Sequence, residues 1–197
     1  AIRTMVGVDK FIALTQKVTA IITVSEAAKE ALVLRYRVNA DKICVVYPFS
    51  SKPRVTDEGM RNARNELGVD DSTFIIGGSG QVTWTKGCDV FLQAAMEFRR
   101  RTDNQDFLFV WVGGISDTMI HNQIDLDMEK MDLHPIVRFI GAKTNPCDYY
   151  ANFSVFLMTS KEESFGLAGL ENALLSKPVI CFDKCGGINE FAVDTCV

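Results

Sequence analysis

Short apolar runs alternate with stretches of helical periodicity along most of the chain. Runs that are apolar throughout are typical of parallel strands covered by helices on both faces. The predicted strands are AIITV (20–24), KICVVY (42–47), TFIIGGSG (73–80), FLFVWVGG (107–114), VRFIGA (137–142), SVFLMT (154–159) and PVICFD (178–183). The predicted helices begin after Ser25, cover EGMRNARNELG, run from Lys86 to Arg101 and from Asp117 to Met131, and cover PCDYYANF and ESFGLAGLENALL. This order predicts an α/β fold with a doubly wound, Rossmann-like parallel sheet, whose ligands bind at the carboxyl ends of the strands.

One stretch interrupts the alternation. YPFSSKPRVTDEG (47–59) contains prolines, hydroxyl residues and charges without an apolar period, which is typical of a linker. The part before it is too short for a core of its own. The chain ends at FAVDTCV without a closing helix after its last strand. We therefore predict the tail of another domain at 1–47, a linker at 48–56 and a main domain at 57–197 that is truncated at its C-terminal end.

Composition narrows the class of protein. The 197 residues are 47% hydrophobic and 23% charged, as in a globular chain, and the net charge of -4 gives no basic field for nucleic acid. The apolar runs are shorter than the roughly 20 residues of a membrane span, and the N-terminus does not resemble a signal peptide. We expect a cytoplasmic protein, with membrane association only through regions outside this chain. Six scattered cysteines and two histidines predict no zinc site.

A carboxylate stands in an apolar stripe of the last long predicted helix. At about 100° per residue, Glu171 falls on the same arc as Leu167, Leu170 and Leu174. A buried carboxylate needs a partner or a ligand, because an unpaired one is costly or takes up a proton. For a lone Glu, an internal salt bridge or a wet helix edge is the more common explanation, and a ligand role is the alternative.

Three loops at predicted strand ends carry candidate chemistry. In GGSGQVTWTKG (77–87), glycines follow a strand and Lys86 opens a helix, which suits a phosphate, although tight turns also require such glycines. In SKEESFGLAGLE, Ser164 is predicted to cap a helix whose first residues are Phe165 and Gly166, leaving free amides. In DKCGGINEF, the favoured interpretation is a Gly-Gly corner with Glu190 complementing the dipole of its own helix.

Together these stretches resemble the GT-B glycosyltransferases of the retaining "group 1" type, family GT4. Glu163-Ser-Phe-Gly-Leu with Glu171 resembles the E-x7-E motif, and GSGQVTWTKGCD resembles the G-R-x4-K-G loop. IITVSEAAKEAL with VNADKICVVYP resembles the end of the N-terminal domain, and KPVICFDKCGGINEF resembles the P-V-(I/V) strand followed by G-G-x-x-E. The matches span almost the whole chain in the family's order. They imply the C-terminal, donor-binding half of a GT-B fold with a short piece of the N-terminal, acceptor-binding domain.

The resemblance also implies roles for individual residues. Glu163 would be catalytic and face the donor sugar, and Glu171 would bind the ribose hydroxyls. Contacts to the donor are implied for the residues that match the family's loops, namely Gly80, Gln81, Lys86, Ala142, Ser164, Phe165, Gly166 and Leu167. The implied donor is a UDP-, GDP- or ADP-sugar, bound without a metal ion or other cofactor, and the acceptor would bind to the missing N-terminal domain. This fragment would bind donor without transferring sugar.

One position departs from the family. Gln81 stands where the family most often has Arg, and an amide can donate a hydrogen bond but brings no charge. The departure could weaken diphosphate binding, mark a different donor or mark a degraded site. Two alternatives stay open: a nucleotide-sugar epimerase with a GT-B-like fold, which would share the diphosphate site, and a non-catalytic nucleotide-sugar-binding module, for which Gln81 is the best argument. The base, the sugar, the acceptor and the oligomeric state do not follow from the sequence.

Overall fold

The computed structural model describes residues 7–115 and 117–192. They form two compact units. The small unit contains residues 7–49, Glu163–Gly166 and residues 186–192, and the large unit contains Ser50–Glu162 and Leu167–Cys185. The domain boundaries predicted at 47 and 57 stay a prediction. The predicted truncation at FAVDTCV falls largely on residues 193–197, which lie outside the described residues.

The elements follow the predicted alternation. In chain order they are α1 (Val8–Lys17), β1 (Ile21–Thr23), α2 (Glu26–Tyr36), β2 (Ile43–Val45), α3 (Asp57–Leu67), β3 (Phe74–Ser79), α4 (Cys88–Arg101), β4 (Phe107–Val112), α5 (Thr118–Lys130), β5 (Val137–Phe139), α6 (Cys147–Tyr150), β6 (Val155–Met158), α7 (Leu167–Leu174), β7 (Val179–Cys181) and α8 (Ile188–Ala192). Short 3-10 helices cover Ala40–Lys42 and Trp84–Lys86. No helix within the described ranges is both long enough and apolar enough to cross a bilayer.

The large unit confirms the predicted doubly wound sheet. Its five strands are parallel and lie in the order β5-β4-β3-β6-β7. β4 is buried along its whole length, as a strand covered on both faces must be. The chain builds outward from β3 to β5 and then returns to the other side of β3 with β6. The order of the strands therefore reverses between β3 and β6.

The small unit contains β1 and β2, which pair in parallel. Its first helix, α1, was missed by the sequence analysis, because charges are interspersed among the apolar positions of the N-terminal stretch. The helix is amphipathic, and Phe11 on α1 packs edge-to-face against Tyr36 at the end of α2, with ring centroids 5.2 Å apart. The missed element is thus held by a contact with a neighbouring helix.

The middle of β3 has no room for a side chain. A Cβ on Gly77 would lie 2.0 Å from the ring of Phe153, and a Cβ on Gly78 would lie 2.6 Å from the ring of Trp111. Both rings are about 1% exposed, so neither can move into solvent. The two glycines therefore let large aromatic residues pack directly against the backbone of the central strand.

We expect Gly77→Ala to destabilise the protein by about 2–3 kcal/mol, because the added methyl group overpacks a rigid core. Gly114→Ala is the matched control, since its Cβ would make an ordinary 3.6 Å contact with the Cβ of Ala142. The control should change the free energy of unfolding by less than about 0.5 kcal/mol. Urea unfolding followed by circular dichroism measures both values, and equal effects would contradict this account of β3.

Candidate functional site

The reversal of strand order places a crevice at the carboxyl ends of β3 and β6. In open α/β sheets, ligands bind outside the strand ends at such a point. Gly80 and Gln81 follow β3 directly, and Thr159 follows β6. The backbone around the exposed Gln81 is fixed, because the amides of Gly80 and Val82 donate to the carbonyls of Val112 and Gly114 at 3.0 and 2.9 Å.

The structure brings Gly80 and Lys86 together in the large unit. Gly80 has φ 136, and a Cβ built there would lie 3.3 Å from both Cδ and Cε of Lys86. The carbonyl oxygen of Gly80 accepts a hydrogen bond from Nε1 of the buried Trp111 at 2.9 Å. The aliphatic part of Lys86 therefore lies over a backbone that is itself anchored to the core.

The turn that carries Lys86 is tied to the end of β6. The hydroxyl of Thr159 donates to the Lys86 carbonyl oxygen at 3.0 Å, and the amide of Lys161 donates to the Thr85 carbonyl oxygen at 2.8 Å. Gly87 has φ 69, and a Cβ there would lie 2.0 Å from the Thr159 carbonyl oxygen. The prediction that Lys86 opens a helix is wrong. Lys86 ends a 3-10 helix, and the left-handed Gly87 separates it from α4, which begins at Cys88.

A second cation at the end of β6 was missed by the sequence analysis. The Lys161 ammonium is 2.9 and 2.8 Å from the two carboxylate oxygens of Asp89. It also lies 3.1 Å from the centroid of the Trp84 ring, which is 69% exposed. Trp84 and Asp89 are close in the sequence, but Lys161 lies 72 residues after Asp89, so no local spacing could have indicated the cluster.

Glu171 does not occupy the predicted apolar stripe. The buried residues of α7 are Gly169 and Asn172, whereas Leu167 and Leu174 are 48% and 40% exposed. The helix is only eight residues long and packs through its glycine and its asparagine, so the leucines predicted to surround Glu171 lie outside the buried face. The predicted burial of this stripe is therefore wrong.

The Glu171 carboxylate is nevertheless half-buried, and burial raises its pKa above the ordinary value. Within the described part of the large unit, no hydrogen bond or ion pair to this carboxylate is found. The salt bridge that is the common explanation for a buried Glu is thus not seen there. Among the described residues of the large unit, the Glu171 carboxylate therefore keeps its capacity to accept hydrogen bonds.

The negative charge of Glu171 affects the pKa of two neighbouring groups. Burial raises the pKa of the Cys147 thiol to about 11 and that of Tyr150 to about 12, and the negative charge of Glu171 adds to both shifts. Ser79 donates its single hydroxyl hydrogen to the Val112 carbonyl oxygen at 2.9 Å. In the 2.5 Å contact between Tyr150 and Ser79, Tyr150 must therefore be the donor. The Tyr150 hydrogen is thus used elsewhere and is not available to Glu171.

Ala142 lies at the same edge of the sheet. It is exposed and follows β5, and its Cβ is 3.6 Å from the position of a Cβ on Gly114, after β4. The amide of Gly113 donates to the Gly141 carbonyl oxygen at 2.9 Å. The ends of β4 and β5 are thereby joined beside Gly80, whose carbonyl oxygen lies 1.8 Å from where a Cβ on Gly113 would be.

The remaining predicted residues belong to the small unit. Phe165 is buried, Ser164 is exposed, and Glu163 is half-buried. The prediction that a helix begins at Phe165 under a Ser164 cap is wrong, because α7 begins at Leu167 and Gly166 precedes it with φ 96. The segment is instead held by its backbone: the Glu163 and Ser164 carbonyl oxygens accept from the Gly187 amide at 3.1 Å and the Ser25 hydroxyl at 2.6 Å.

Within residues 7–115 and 117–192, the His, Cys, Asp and Glu side chains form no group of three that could hold a metal ion. Lys86 and Lys161 place cationic groups near the carboxyl ends of β3 and β6. The site offers a lysine, close-approach glycine backbone and one carboxylate without a partner, which is a combination suited to an anion attached to a hydroxyl-bearing group.

Comparison with protein families gives a match over residues 73–196 to the family described as glycosyl transferases group 1. Among curated proteins, D-inositol 3-phosphate glycosyltransferase of Corynebacterium kroppenstedtii is 27% identical over 171 residues, which cover 83% of this chain and 38% of that protein. The O-antigen biosynthesis glycosyltransferase WclY of Escherichia coli is 32% identical over 119 residues, covering 60% of this chain and 31% of the relative. The chain thus spans less than half the length of these curated relatives.

Solved structures share the fold. Anabaena Alr3699/HepE, crystallised with UDP and glucose, superimposes with a TM-score of 0.81 at 20% identity, over 93% of this chain and 50% of that one. WaaG, a glycosyltransferase involved in lipopolysaccharide biosynthesis, gives a TM-score of 0.69 at 15% identity, over 89% and 47%. Each match covers about half of the solved chain, as expected for one half of a GT-B fold.

We expect Glu171→Gln to raise the free energy of unfolding by about 0.5–1 kcal/mol at neutral pH, because it removes a half-buried charge without a partner. Glu66→Gln is the matched control with the opposite sign. Hydrogen bonds from Lys143 and Tyr149 hold the pKa of Glu66 below its ordinary value, so this variant should lose stability, by less than about 1 kcal/mol for an exposed pair.

The expected pH dependence follows from the raised pKa of Glu171 and the lowered pKa of Glu66. The cost of Glu171 is complete above its raised pKa and disappears as pH falls below the ordinary value of 4.5. The contribution of Glu66 is present above 4.5 and is lost only as pH falls through its lowered pKa. Urea unfolding between pH 3 and 8 should therefore show the Glu171→Gln difference shrinking first. A destabilised Glu171→Gln at pH 7 would mean that Glu171 has a stabilising partner.

Proposed function

The chain belongs to the glycosyl transferases of group 1, family GT4, and on that premise we propose that it is the donor-binding portion of an enzyme that transfers a sugar from a nucleotide diphosphate sugar to an acceptor. The observation that carries the proposal is the arrangement in the large unit. Lys86 lies over Gly80 at the point where strand order reverses, and the half-buried Glu171 carboxylate lacks a partner there. These groups match the charges and hydroxyls of such a donor.

The diphosphate is assigned to the loop after β3. Gly80 allows the oxygens of the diphosphate to approach the backbone. Lys86 supplies a positive charge, and the side-chain amide of Gln81 donates a hydrogen bond. The amides of Phe165, Gly166 and Leu167 are further donors. In transfer, negative charge accumulates on the departing diphosphate, and donors already in place stabilise that charge without reorganisation. The principal task of these residues is therefore electrostatic.

The nucleoside and the sugar are assigned to the two carboxylates and to β5. Glu171 accepts hydrogen bonds from the ribose hydroxyls, which are stronger than neutral ones because the acceptor is charged. Backbone groups at Ala142 contact the base. Glu163 faces the donor sugar and acts as the catalytic carboxylate, and the sugar is transferred with retention at the anomeric carbon. This assignment gives the lone carboxylate of α7 the partner that the large unit does not provide.

The acceptor is assigned to the part of the relatives that this chain does not match. This chain covers 38% and 31% of two of those relatives, and their names include an inositol phosphate and an O-antigen pathway. We propose that the chain alone binds donor but does not transfer sugar. UDP-glucose is the first donor to test, because it is bound by a protein of the same fold.

A non-catalytic nucleotide-sugar-binding module is the second candidate, and Gln81 favours it. An amide in place of the usual guanidinium removes one positive charge from the diphosphate loop. Such a module would bind the nucleotide sugar as this chain does, but a full-length parent protein would show no transfer or hydrolysis of the donor. Product formation from radiolabelled donor by the parent protein separates the two candidates.

We expect isothermal titration calorimetry against UDP, GDP and ADP to show one-to-one binding of a single nucleotide. The dissociation constant should be the same with and without magnesium, because Lys86 and backbone amides serve as the diphosphate's partners. Strengthening by magnesium of tenfold or more would contradict the metal-independent site. Absence of binding to all three would contradict the donor-binding function.

With the nucleotide that binds, Lys86→Ala should weaken affinity by about tenfold or more, which is the usual loss for a hydrogen bond to a charged group. Glu171→Gln should weaken it by no more than Lys86→Ala. Lys130→Ala removes an exposed lysine from the end of α5 and is the matched control for net charge. An unchanged dissociation constant in a folded Glu171→Gln variant would remove the ribose role.

A further inference from the structure

The buried hydroxyl of Ser25 contacts the Glu163–Gly166 segment. Ser25 is fully buried and is the N-cap of α2, where its oxygen accepts a hydrogen bond from the Ala28 amide at 3.0 Å. The same hydroxyl donates to the carbonyl oxygen of Ser164 at 2.6 Å. The Ser25 hydroxyl therefore caps the first turn of α2 and also holds the segment. Both interactions are lost together if this hydroxyl is removed.

A carboxylate from the end of the chain completes the same helix terminus. Glu190 accepts from the amides of Glu26 and Ala27 at 3.0 and 2.8 Å and from the Tyr47 hydroxyl at 2.9 Å. Burial raises the pKa of Glu190, but these hydrogen bonds outweigh burial and hold it below the ordinary value. The expectation that Glu190 serves only the dipole of its own helix is corrected, because its carboxylate caps α2 more than 160 residues earlier in the sequence.

Two glycines bring the end of the chain against the segment. A Cβ on Gly186 would lie 1.8 Å from the Glu163 carbonyl oxygen, and a Cβ on Gly187 would lie 2.5 Å from the Ser164 carbonyl oxygen and 2.7 Å from the Cβ of Ser25. The Gly187 amide donates to the Glu163 carbonyl oxygen at 3.1 Å. The backbone at Gly186 and Gly187 therefore packs directly against the backbone of the segment, and the side chain of Ser25 lies beside both.

We propose that Ser25 and Glu190 are positioning residues that hold Glu163–Gly166 in the conformation that binds the diphosphate and sugar of the donor. This inference rests on the proposed function of that segment. The four residues form no helix or strand, so their conformation is fixed by these contacts and not by a regular hydrogen-bond ladder. Ordering a free segment on binding would lower affinity, whereas a segment already in place loses little entropy.

The test compares Ser25→Ala and Glu190→Gln with Thr56→Ala in the 197-residue chain. Thr56 is also a helix N-cap, accepting from the Gly59 amide at 2.9 Å, but it belongs to the large unit and serves α3. Glu190→Gln keeps the volume and replaces one acceptor with a donor that faces N–H or O–H donors. Calorimetry measures binding of UDP-glucose, UDP and UMP, or the same set for guanosine or adenosine if that base is the one that binds.

The expected result is selective. Affinity for the nucleotide sugar and the nucleoside diphosphate should fall by roughly threefold to thirtyfold in both variants, as for a lost helix cap, while affinity for the monophosphate stays within about twofold. Residue-resolved hydrogen exchange should show faster exchange of the Gly187 amide in Ser25→Ala and Glu190→Gln, but not in Thr56→Ala. A general loss of structure would instead weaken all three ligands equally.

The outcomes separate the two inferences. Binding by the wild-type chain together with unchanged affinities in both variants overturns the positioning role and leaves the proposed function intact. An equal loss for all three ligands, or unchanged exchange at Gly187, also overturns it. A wild-type chain that binds no nucleotide overturns the proposed function, and the positioning of a donor with it, before any variant is made.

Discussion

The candidate site depends on the close approach of two backbones at the carboxyl edge of the five-stranded sheet. The Thr159 carbonyl oxygen lies 2.0 Å from where a side chain on Gly87 would begin, so only glycine can follow Lys86. This contact, together with the hydrogen bond from the Thr159 hydroxyl to the Lys86 carbonyl, joins the loop after β3 to the end of β6. Reversal of strand order creates the crevice, and this join places a lysine in it.

Two charged side chains of the large-unit site differ in whether they have a partner of opposite charge. Asp89 already neutralises Lys161, whereas Glu171 is half-buried without a partner among the described residues of that unit. A fold selected for stability alone would pair such a carboxylate or replace it, because an unpaired, partly desolvated charge costs free energy. This cost in free energy is explained if a hydroxyl of the ligand donates a hydrogen bond to the Glu171 carboxylate during function. Stability and binding then make opposite demands on one residue.

The sequence predicted the fold better than the side-chain environments. All seven strands were predicted because each is a short apolar run between turn signals, a property local to the strand. The environment of Glu171 was predicted wrongly, because helical periodicity says which residues share a face but not whether that face is buried. The partners of Glu190 and Lys161 were not predicted at all. Each partner lies more than 70 residues away in the sequence, and such pairs follow from tertiary packing alone.

The backbone hydrogen bonds around Gln81 in the large unit decide what this position can offer a ligand. The amides on either side of it are fixed to the end of β4, so the backbone of this position is as constrained as that of a residue in a strand. A guanidinium there would add a charge, whereas the amides of Gly80 and Val82 already donate to carbonyl oxygens of the chain and are not offered to a ligand. A diphosphate bound at this loop would therefore rely on Lys86 and on the side-chain amide of Gln81, which this backbone holds in place. Fixed donors of this kind act with little reorganisation, which is the property that stabilises a departing diphosphate most effectively.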